Sequence, residues 1–261
     1  MMDSFYFIDK TWEELKEYIE KKALILFPIG TVEEHGPHLP VSTDYTIAVE
    51  VAKRVAEKIK DEIPVLVMPG YWAGYSQKVM TRWPGTIRVR TKVVMDVIYD
   101  VCASLIEMGF KRIILIDAHG HHSGILNVVV REIADTYNVY IPITSPASLS
   151  REIFEKIRRS KPGGAIHAGE WETSLMLYLE QPVKMDRTNS IDIFKYESEF
   201  IPKDNFSGKK KVFWSTWGLM ESKTGTYGDP TVAEKETGKK IMEEIINEFI
   251  KFIKEYLEKT K

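Results

Sequence analysis

The chain has 261 residues and a formal charge of −2, from 36 basic and 38 acidic side chains, with 44% apolar and 28% charged residues. These proportions are those of a globular protein and exclude a disordered, collagen-like or low-complexity chain. A balance this near zero gives no long-range pull toward nucleic acid or anionic lipid, and the one short basic run, Lys209-Lys210-Lys211, reads as a solvated loop.

No apolar stretch approaches the ~20 residues that cross a bilayer, and Met1-Met2-Asp3-Ser4 lacks a basic segment followed by an apolar one. The expected setting is the cytoplasm. Cys102, the single cysteine, cannot form an intramolecular disulfide and reads as core filler on a helix face.

Along the chain, Thr11-Trp12-Glu13-Glu14 fits a capping box and predicts a helix over 12–21. The apolar run Ala23-Leu24-Ile25-Leu26-Phe27-Pro28-Ile29 then predicts a strand covered on both faces. Helical periodicity over 45–61 leads to a second such strand, Pro64-Val65-Leu66-Val67-Met68. A helix over 91–108 and a strand at Arg112-Ile113-Ile114-Leu115-Ile116-Asp117 follow, then a helix over 123–137. A fourth strand, over 139–143, is weaker because Pro142 suits an edge position or an early end. The region 186–227 is irregular and aromatic and yields no element. The tail, 231–257, repeats Ile241, Ile245, Phe249 and Phe252 among Lys and Glu, the pattern of a long surface helix. Alternating strands and helices imply an α/β fold, a parallel sheet with helices on both faces, in one domain spanning 1–261.

Histidine and carboxylate cluster within this frame. Five of the six histidines lie in Glu33-Glu34-His35-Gly36-Pro37-His38 and His119-Gly120-His121-His122, each directly after a predicted strand. The sixth, His167, stands in His167-Ala168-Gly169-Glu170. Ligand sites of open parallel sheets form beyond the carboxyl ends of the strands, so the two clusters should meet at one sheet edge. Imidazole with carboxylate suits Zn, Mn or Fe rather than Mg or Ca. Glu33 and His35 can point the same way in an extended stretch, and Asp44 can either cap the following helix or bind metal.

The stretch Gly30-Thr31-Val32-Glu33-Glu34-His35-Gly36-Pro37-His38-Leu39-Pro40, with Thr43-Asp44, resembles the signature of the creatininase (creatinine amidohydrolase) family of metal-dependent hydrolases. Trp83-Pro84-Gly85-Thr86-Ile87, Asp117-Ala118-His119-Gly120 and His167-Ala168-Gly169-Glu170-Trp171-Glu172-Thr173-Ser174 resemble three later motifs in the same order. The resemblance implies a three-layer α/β/α sandwich with a mainly parallel sheet. It also implies a homo-oligomer, often a hexamer, and two divalent metal ions at the strand ends. Carried over by motif, Glu33 and His119 bind one metal, His35 the other, and Asp44 bridges both. The implied chemistry is a metal-bridged hydroxide attacking a carbonyl carbon of a small, cyclic polar substrate.

The fifth ligand is carried over as either Glu170 or His121, with Glu170 preferred. In that case His121 and His122 become candidates to contact substrate, or one of them to donate a supporting hydrogen bond. His167 matches a histidine that transfers protons, for which imidazole is suited. Its alternative role is to cap the helix beginning near Gly169. Glu172 and Thr173 read as supports and His38 as a loop-shaping residue. Two departures speak against creatinine: the approach to His167 lacks the tryptophan of creatinine-hydrolysing relatives, and Met80 replaces a histidine common three residues before Trp83. Tyr75, Ser76, Gln77, His121 and His122 would suit a hydroxylated ring such as a diketo-inositol. The competing readings are a non-catalytic metal-binding protein and a single-metal peptidase or deformylase.

Overall fold

A computed structural model describes residues 4–193, 197–208 and 210–260. Lys209 lies outside the described residues; its neighbours Lys210 and Lys211 are exposed. The capping box forms as expected, with the Thr11 hydroxyl accepting the Glu14 N–H at 3.3 Å and the Glu14 carboxylate accepting the Thr11 N–H at 2.7 Å. It opens helix α1 (Trp12–Glu20). In chain order follow β1 (Leu24–Ile29), α2 (Thr43–Ile59), β2 (Val65–Val67), α3 (Thr91–Met108), β3 (Arg112–Asp117) and α4 (Ile125–Tyr137). The chain continues through β4 (Ile143–Thr144), α5 (Pro146–Leu149), α6 (Arg151–Ile157), α7 (Glu170–Tyr178) and α8 (Lys235–Lys259).

The strands form one parallel sheet in the order β2-β1-β3-β4, with Leu26 opposite Val67, Ile25 opposite Ile113 and Ile116 opposite Thr144. Side chains of a strand alternate between faces, and both faces here are covered. Leu24, Leu26, Ile114 and Ile116 pack with Val51 and Val55 of α2, Leu175 of α7 and Ile241 and Phe249 of α8. Ile25, Phe27, Ile113 and Leu115 pack with Ile98 and Cys102 of α3 and Val129 and Ile133 of α4. This is the three-layer sandwich, with Cys102 buried in one apolar layer. Because α2 and α4 leave β1 and β3 for opposite faces, the loops at those two strand ends part and open a crevice between them.

The weak fourth strand begins later than expected. Pro142 has no N–H to give, but its carbonyl accepts the Leu115 N–H at 3.0 Å, so the ladder to β3 opens at the proline carbonyl and runs on through Ile143 and Thr144 rather than stopping there. Helix α2 starts two residues earlier than the periodicity indicated, which places Asp44 inside its first turn.

Candidate metal centre

The segment after β1 carries Glu33, His35 and, at the start of α2, Asp44; the segment after β3 carries His119 and His121. Tethers to the chain between them fix their positions. Gly30 N–H and Val32 N–H donate to the carbonyls of Tyr71 and Trp72. Glu34 N–H donates to the Thr86 hydroxyl at 3.2 Å, which itself donates to the Met80 carbonyl at 2.8 Å. Thr86 of the Trp-Pro-Gly-Thr segment thus braces the segment carrying Glu33 and His35. Gly30 permits a close crossing, since a Cβ there would fall 2.5 Å from the Tyr45 backbone.

Three imidazoles share one arrangement. His35 Nδ1 lies 3.0 Å from the Glu33 carbonyl, and its Nε2 is 3.2 Å from Asp44 Oδ1. His119 Nε2 lies 2.9 Å from the Tyr75 carbonyl, and its Nδ1 is 2.6 Å from Asp44 Oδ2. His167 Nε2 lies 2.7 Å from the Glu34 carbonyl, and its Nδ1 is 3.5 Å from Glu33 Oε2. In each ring the N–H is committed to a backbone carbonyl, which sets the tautomer and turns the other nitrogen toward a carboxylate. Asp44 touches both His35 and His119, one oxygen to each. The cap alternative for Asp44 is set aside, because Ser42 occupies the N-cap of α2 and the Asp44 carboxylate faces the histidines. His167 caps no helix either: Gly169 stands at the N-cap of α7.

Two expectations meet a different geometry. Glu170 is fully buried but turned away from the cluster, its carboxylate accepting the N–H groups of Arg159 at 2.9 Å and Ser160 at 2.7 Å. Residues two apart on a helix do not share a face, so the side chain of α7 that reaches the cluster is Glu172. It lies 4.0 Å from His35 Nε2, with its other oxygen accepting the Ala168 N–H at 2.6 Å. His122 is likewise committed elsewhere. Its Nε2 accepts the Tyr75 N–H at 3.1 Å, which leaves Nδ1–H to donate to Asp117 at 3.0 Å. Fully buried and bonded at both nitrogens, it fastens the 74–77 segment to β3 and presents nothing to a substrate. His121 differs: its Nδ1 accepts the Gln77 N–H at 3.4 Å and lies 3.6 Å from Glu33 Oε1, while its Nε2 is buried without a partner. Of the expected wall of Tyr75, Ser76 and Gln77, Ser76 is fully buried and faces no substrate, while Tyr75 and Gln77 keep partial exposure. His38 bonds the Thr173 hydroxyl at 3.1 Å and joins the loop to α7, in keeping with a shaping role.

The donor set fits a cation. Both oxygens of Glu33 are buried with no hydrogen-bond partner, an arrangement that costs several kcal/mol unless a positive charge answers it. Burial pushes the Glu33 pKa up, but the charges of His119 and His167, with the His121 ring beside them, outweigh it and bring it down to about 2. Burial likewise opposes Asp44, yet His35 and His119 hold its carboxyl well below the usual range. His119 is held up at about 9 by Glu33 and Asp44 against the effect of burial. Among the described residues, Glu33–His119–His121, Glu33–His35–His167 and His35–Asp44–Glu172 each bring three potential ligand atoms within 4.8 Å of one another.

Two aromatic side chains from the region without assigned elements complete the site. The Trp217 ring meets His121 edge-on at 4.9 Å and Tyr227 at 5.2 Å, and lies 6.1 Å from His167. The Tyr227 hydroxyl is buried without a partner. The segment before His167 has no tryptophan; the aromatic wall comes instead from later in the chain. A cavity of about 330 Å³ reaches His119 and Glu172 and is lined also by Ser145, Ser148, Asn205 and Arg151.

The model of the family described as "Creatininase: Creatinine amidohydrolase" matches residues 9–253. The chain belongs to the creatininase family. It is a metal-dependent hydrolase of that family, and its His/Glu/Asp cluster is suited to divalent metal. Among creatininase-family relatives, the 3-dehydro-scyllo-inosose hydrolase of Thermotoga maritima is 25% identical, over 97% of this chain and 84% of that protein. The mycofactocin precursor peptide peptidase of Mycobacterium tuberculosis is 26% identical, over 89% of this chain and 85% of that protein. The fold matches the solved structure "Creatininase Mn" with a TM-score of 0.80 at 24% identity, covering 97% and 98% of the two chains.

Proposed function

We propose that this chain, read as one hydrolase domain over 1–261, hydrolyses a small, polar, cyclic carbonyl compound, a keto-cyclitol in preference to creatinine, using two divalent ions. Glu33, Asp44 and His119 would hold one ion and His35, Asp44 and Glu172 the other, with Asp44 between them; Zn, Mn and Fe all suit such a set. Divalent ions so held supply Lewis acidity toward a carbonyl oxygen and make a water acidic near neutral pH. The observation that carries this reading is the shared anchoring of His35, His119 and His167, each with its N–H on a backbone carbonyl and its second nitrogen turned to Glu33 or Asp44.

His167 takes the proton-transfer role. Its Nε2–H is held by the Glu34 carbonyl, so Nδ1 is the atom that accepts a proton on the site side and returns it to the leaving atom. His121 is assigned to substrate: with Nδ1 taken by Gln77, its Nε2–H is a buried donor in need of an acceptor. Trp217 and Tyr227 exclude water from one side, and the hydroxyl and amide groups of Ser145, Ser148 and Asn205 suit a ring bearing several hydroxyls. The inosose hydrolase relative, aligned over nearly the whole chain, supports the same substrate class. In this assignment His167 stands outside both ligand sets, its Nδ1 3.5 Å from Glu33 Oε2, and so is left for proton transfer, which a non-catalytic metal module would not need. A cytoplasmic setting and assembly into a homo-oligomer belong to the same reading. Phe200, Phe213 and Leu219 are exposed apolar side chains that an assembly would cover.

The test is a side-by-side assay of the Zn- or Mn-loaded protein on 3-dehydro-scyllo-inosose and creatinine. Turnover of the keto-inositol, lowered roughly 10²–10⁴-fold in His167→Asn with metal content unchanged, is the expected result. Turnover of creatinine alone, or an unaffected His167→Asn protein, would overturn the reading.

A further inference from the structure

The wall that carries Tyr227 belongs to a loop, residues 222–228, that no sequence motif covers. It presses on the metal-site segment by backbone as well as through the Tyr227 ring, which meets His167 edge-on at 6.1 Å. Tyr227 N–H and Gly228 N–H both donate to the His167 carbonyl, at 3.0 and 3.2 Å, and Asp229 N–H donates to the Gly164 carbonyl at 2.8 Å. Gly225, at φ +84°, lies so close to Glu34 that a Cβ there would collide with the carboxylate. A Cβ on Gly36 would likewise strike the Thr226 hydroxyl. Glu34, in turn, supplies the carbonyl that holds His167 Nε2. The loop therefore grips His167 from two sides, through its own carbonyl and through Glu34.

One oxygen sets the shape of that loop. Asp192 Oδ2 accepts four hydrogen bonds, from Ser222 Oγ at 3.0 Å, Lys223 N at 2.8 Å, Thr224 N at 3.0 Å and Thr224 Oγ1 at 2.8 Å. Ser222 Oγ then accepts the Gly225 N–H at 2.8 Å, passing the constraint to the glycine that abuts Glu34. Ser222 Oγ shares the Thr224 N–H at 3.2 Å but is itself held by Asp192, and regular secondary structure does not hold the loop.

We propose that Asp192 is a positioning residue: by tying down 222–228 it fixes His167 and its Glu34 anchor relative to the carboxylates of the metal centre. Asp192 touches neither the metal ligands nor the cavity, so its effect passes through the loop alone. The bonds to its carboxylate hold its pKa below the usual range, so it keeps this role in neutral solution. The inference rests on the hydrolase reading only for the use made of His167; the placement of that ring can be measured without a substrate.

The experiment compares zinc-loaded wild-type, Asp192→Ala and Asp192→Asn proteins by ¹⁵N imidazole spectra, with the His167 signal assigned by its loss in His167→Gln, and by hydrogen exchange of residues 222–228. In Asp192→Ala we expect amide exchange at Tyr227 and Gly228 to speed up by about tenfold or more. The single-tautomer His167 signal should broaden or shift, while His35 and His119 keep their signals and zinc content is unchanged. Asp192→Asn, which retains an acceptor oxygen at the same place, should restore most of the wild-type pattern. If Asp192→Ala does not fold, Ser222→Ala removes the link to Gly225 and carries the same test. An unchanged His167 signal in the folded variants, or equal loss of all three histidine signals together with the zinc, overturns the proposal. Failure of the hydrolase reading would show separately, as inactivity of a wild-type protein whose His167 is in place.

Discussion

Burial alone would discharge the His119 ring, yet Glu33 and Asp44 hold its pKa at about 9, and Asp44 does the same for His35, whose pKa is raised well above the ordinary value. A histidine must be neutral to bind metal, so a metal ion has to displace these protons. We expect zinc binding to the metal-free protein to release protons at neutral pH and to tighten as pH rises toward about 9. Calorimetry in buffers of differing ionisation enthalpy measures this directly; affinity independent of pH between about 6 and 9 would contradict it. At this scale the sequence was readable for which side chains cluster, where candidate ligands sit in one extended stretch, as with Glu33 and His35, and where strand ends bring segments together, as with His119. It was unreadable where helix phase decides. Glu170 and Glu172 look equivalent in the chain, and only the rotation of α7 turns Glu172 inward and Glu170 onto the 159–160 backbone. For His122 it is the supporting hydrogen bond, the alternative to substrate contact, that the structure shows; which of the two adjacent histidines takes it could not be read, because its partners, Asp117 and the Tyr75 N–H, lie on separate segments, and Trp217 gave no signal beyond standing in an aromatic, irregular region.

Helix α6 and the irregular segment beyond α7 are locked by a buried ion pair. Arg158 donates to Asp204 at 2.6 Å, and the Asp204 carboxylate also accepts the N–H groups of Gly163 and Phe206. Burial raises the Asp204 pKa, but the Arg158 bond and the Gly163 N–H outweigh it and leave the value below the ordinary 3.8. A depressed carboxylate stabilises the fold above its unfolded pKa, and that contribution is lost as pH falls through the lower, folded value. Arg158→Ala should cost about 3 kcal/mol in chemical denaturation at neutral pH, because it leaves the carboxylate buried without its cation; a loss under about 0.5 kcal/mol, the size of an exposed pair, would contradict this. Helices α7 and α8 cross closely at Gly238, where a Cβ would fall on the Ser174 carbonyl. Gly238→Ala is therefore expected to destabilise by about 1–3 kcal/mol through overpacking despite the better helix propensity of alanine; a stabilised variant would show that the crossing is slack. The long elements could be read from their periodicity, α3 matching residue for residue. The start of β4 could not, because it depends on which side of Pro142 the neighbouring β3 can pair.

The parallel sheet collects both histidine segments at the carboxyl ends of β1 and β3, and chemistry rather than cavity size marks the site. A larger hollow of about 640 Å³ lies near the opposite ends of the strands, by Tyr18, Lys60 and Pro64, and contains none of the clustered ligands. Among the described residues no helix is long and apolar enough to cross a membrane. The exposed apolar side chains around Phe200, Phe213 and Leu219 lead us to expect a homo-oligomer by sedimentation; a monomer at all concentrations would contradict it. This scale was the most legible in sequence, because alternation of strands and helices dictates the layers and the layers dictate the edge. The measurement that most directly tests the central claim is elemental analysis of the purified wild-type and Asp44→Ala proteins after equilibration with zinc or manganese. About two divalent ions per chain, falling to one or none in Asp44→Ala with the fold intact, is the result we predict. A metal-free wild-type protein, or an Asp44→Ala protein that keeps its full metal content, would contradict it.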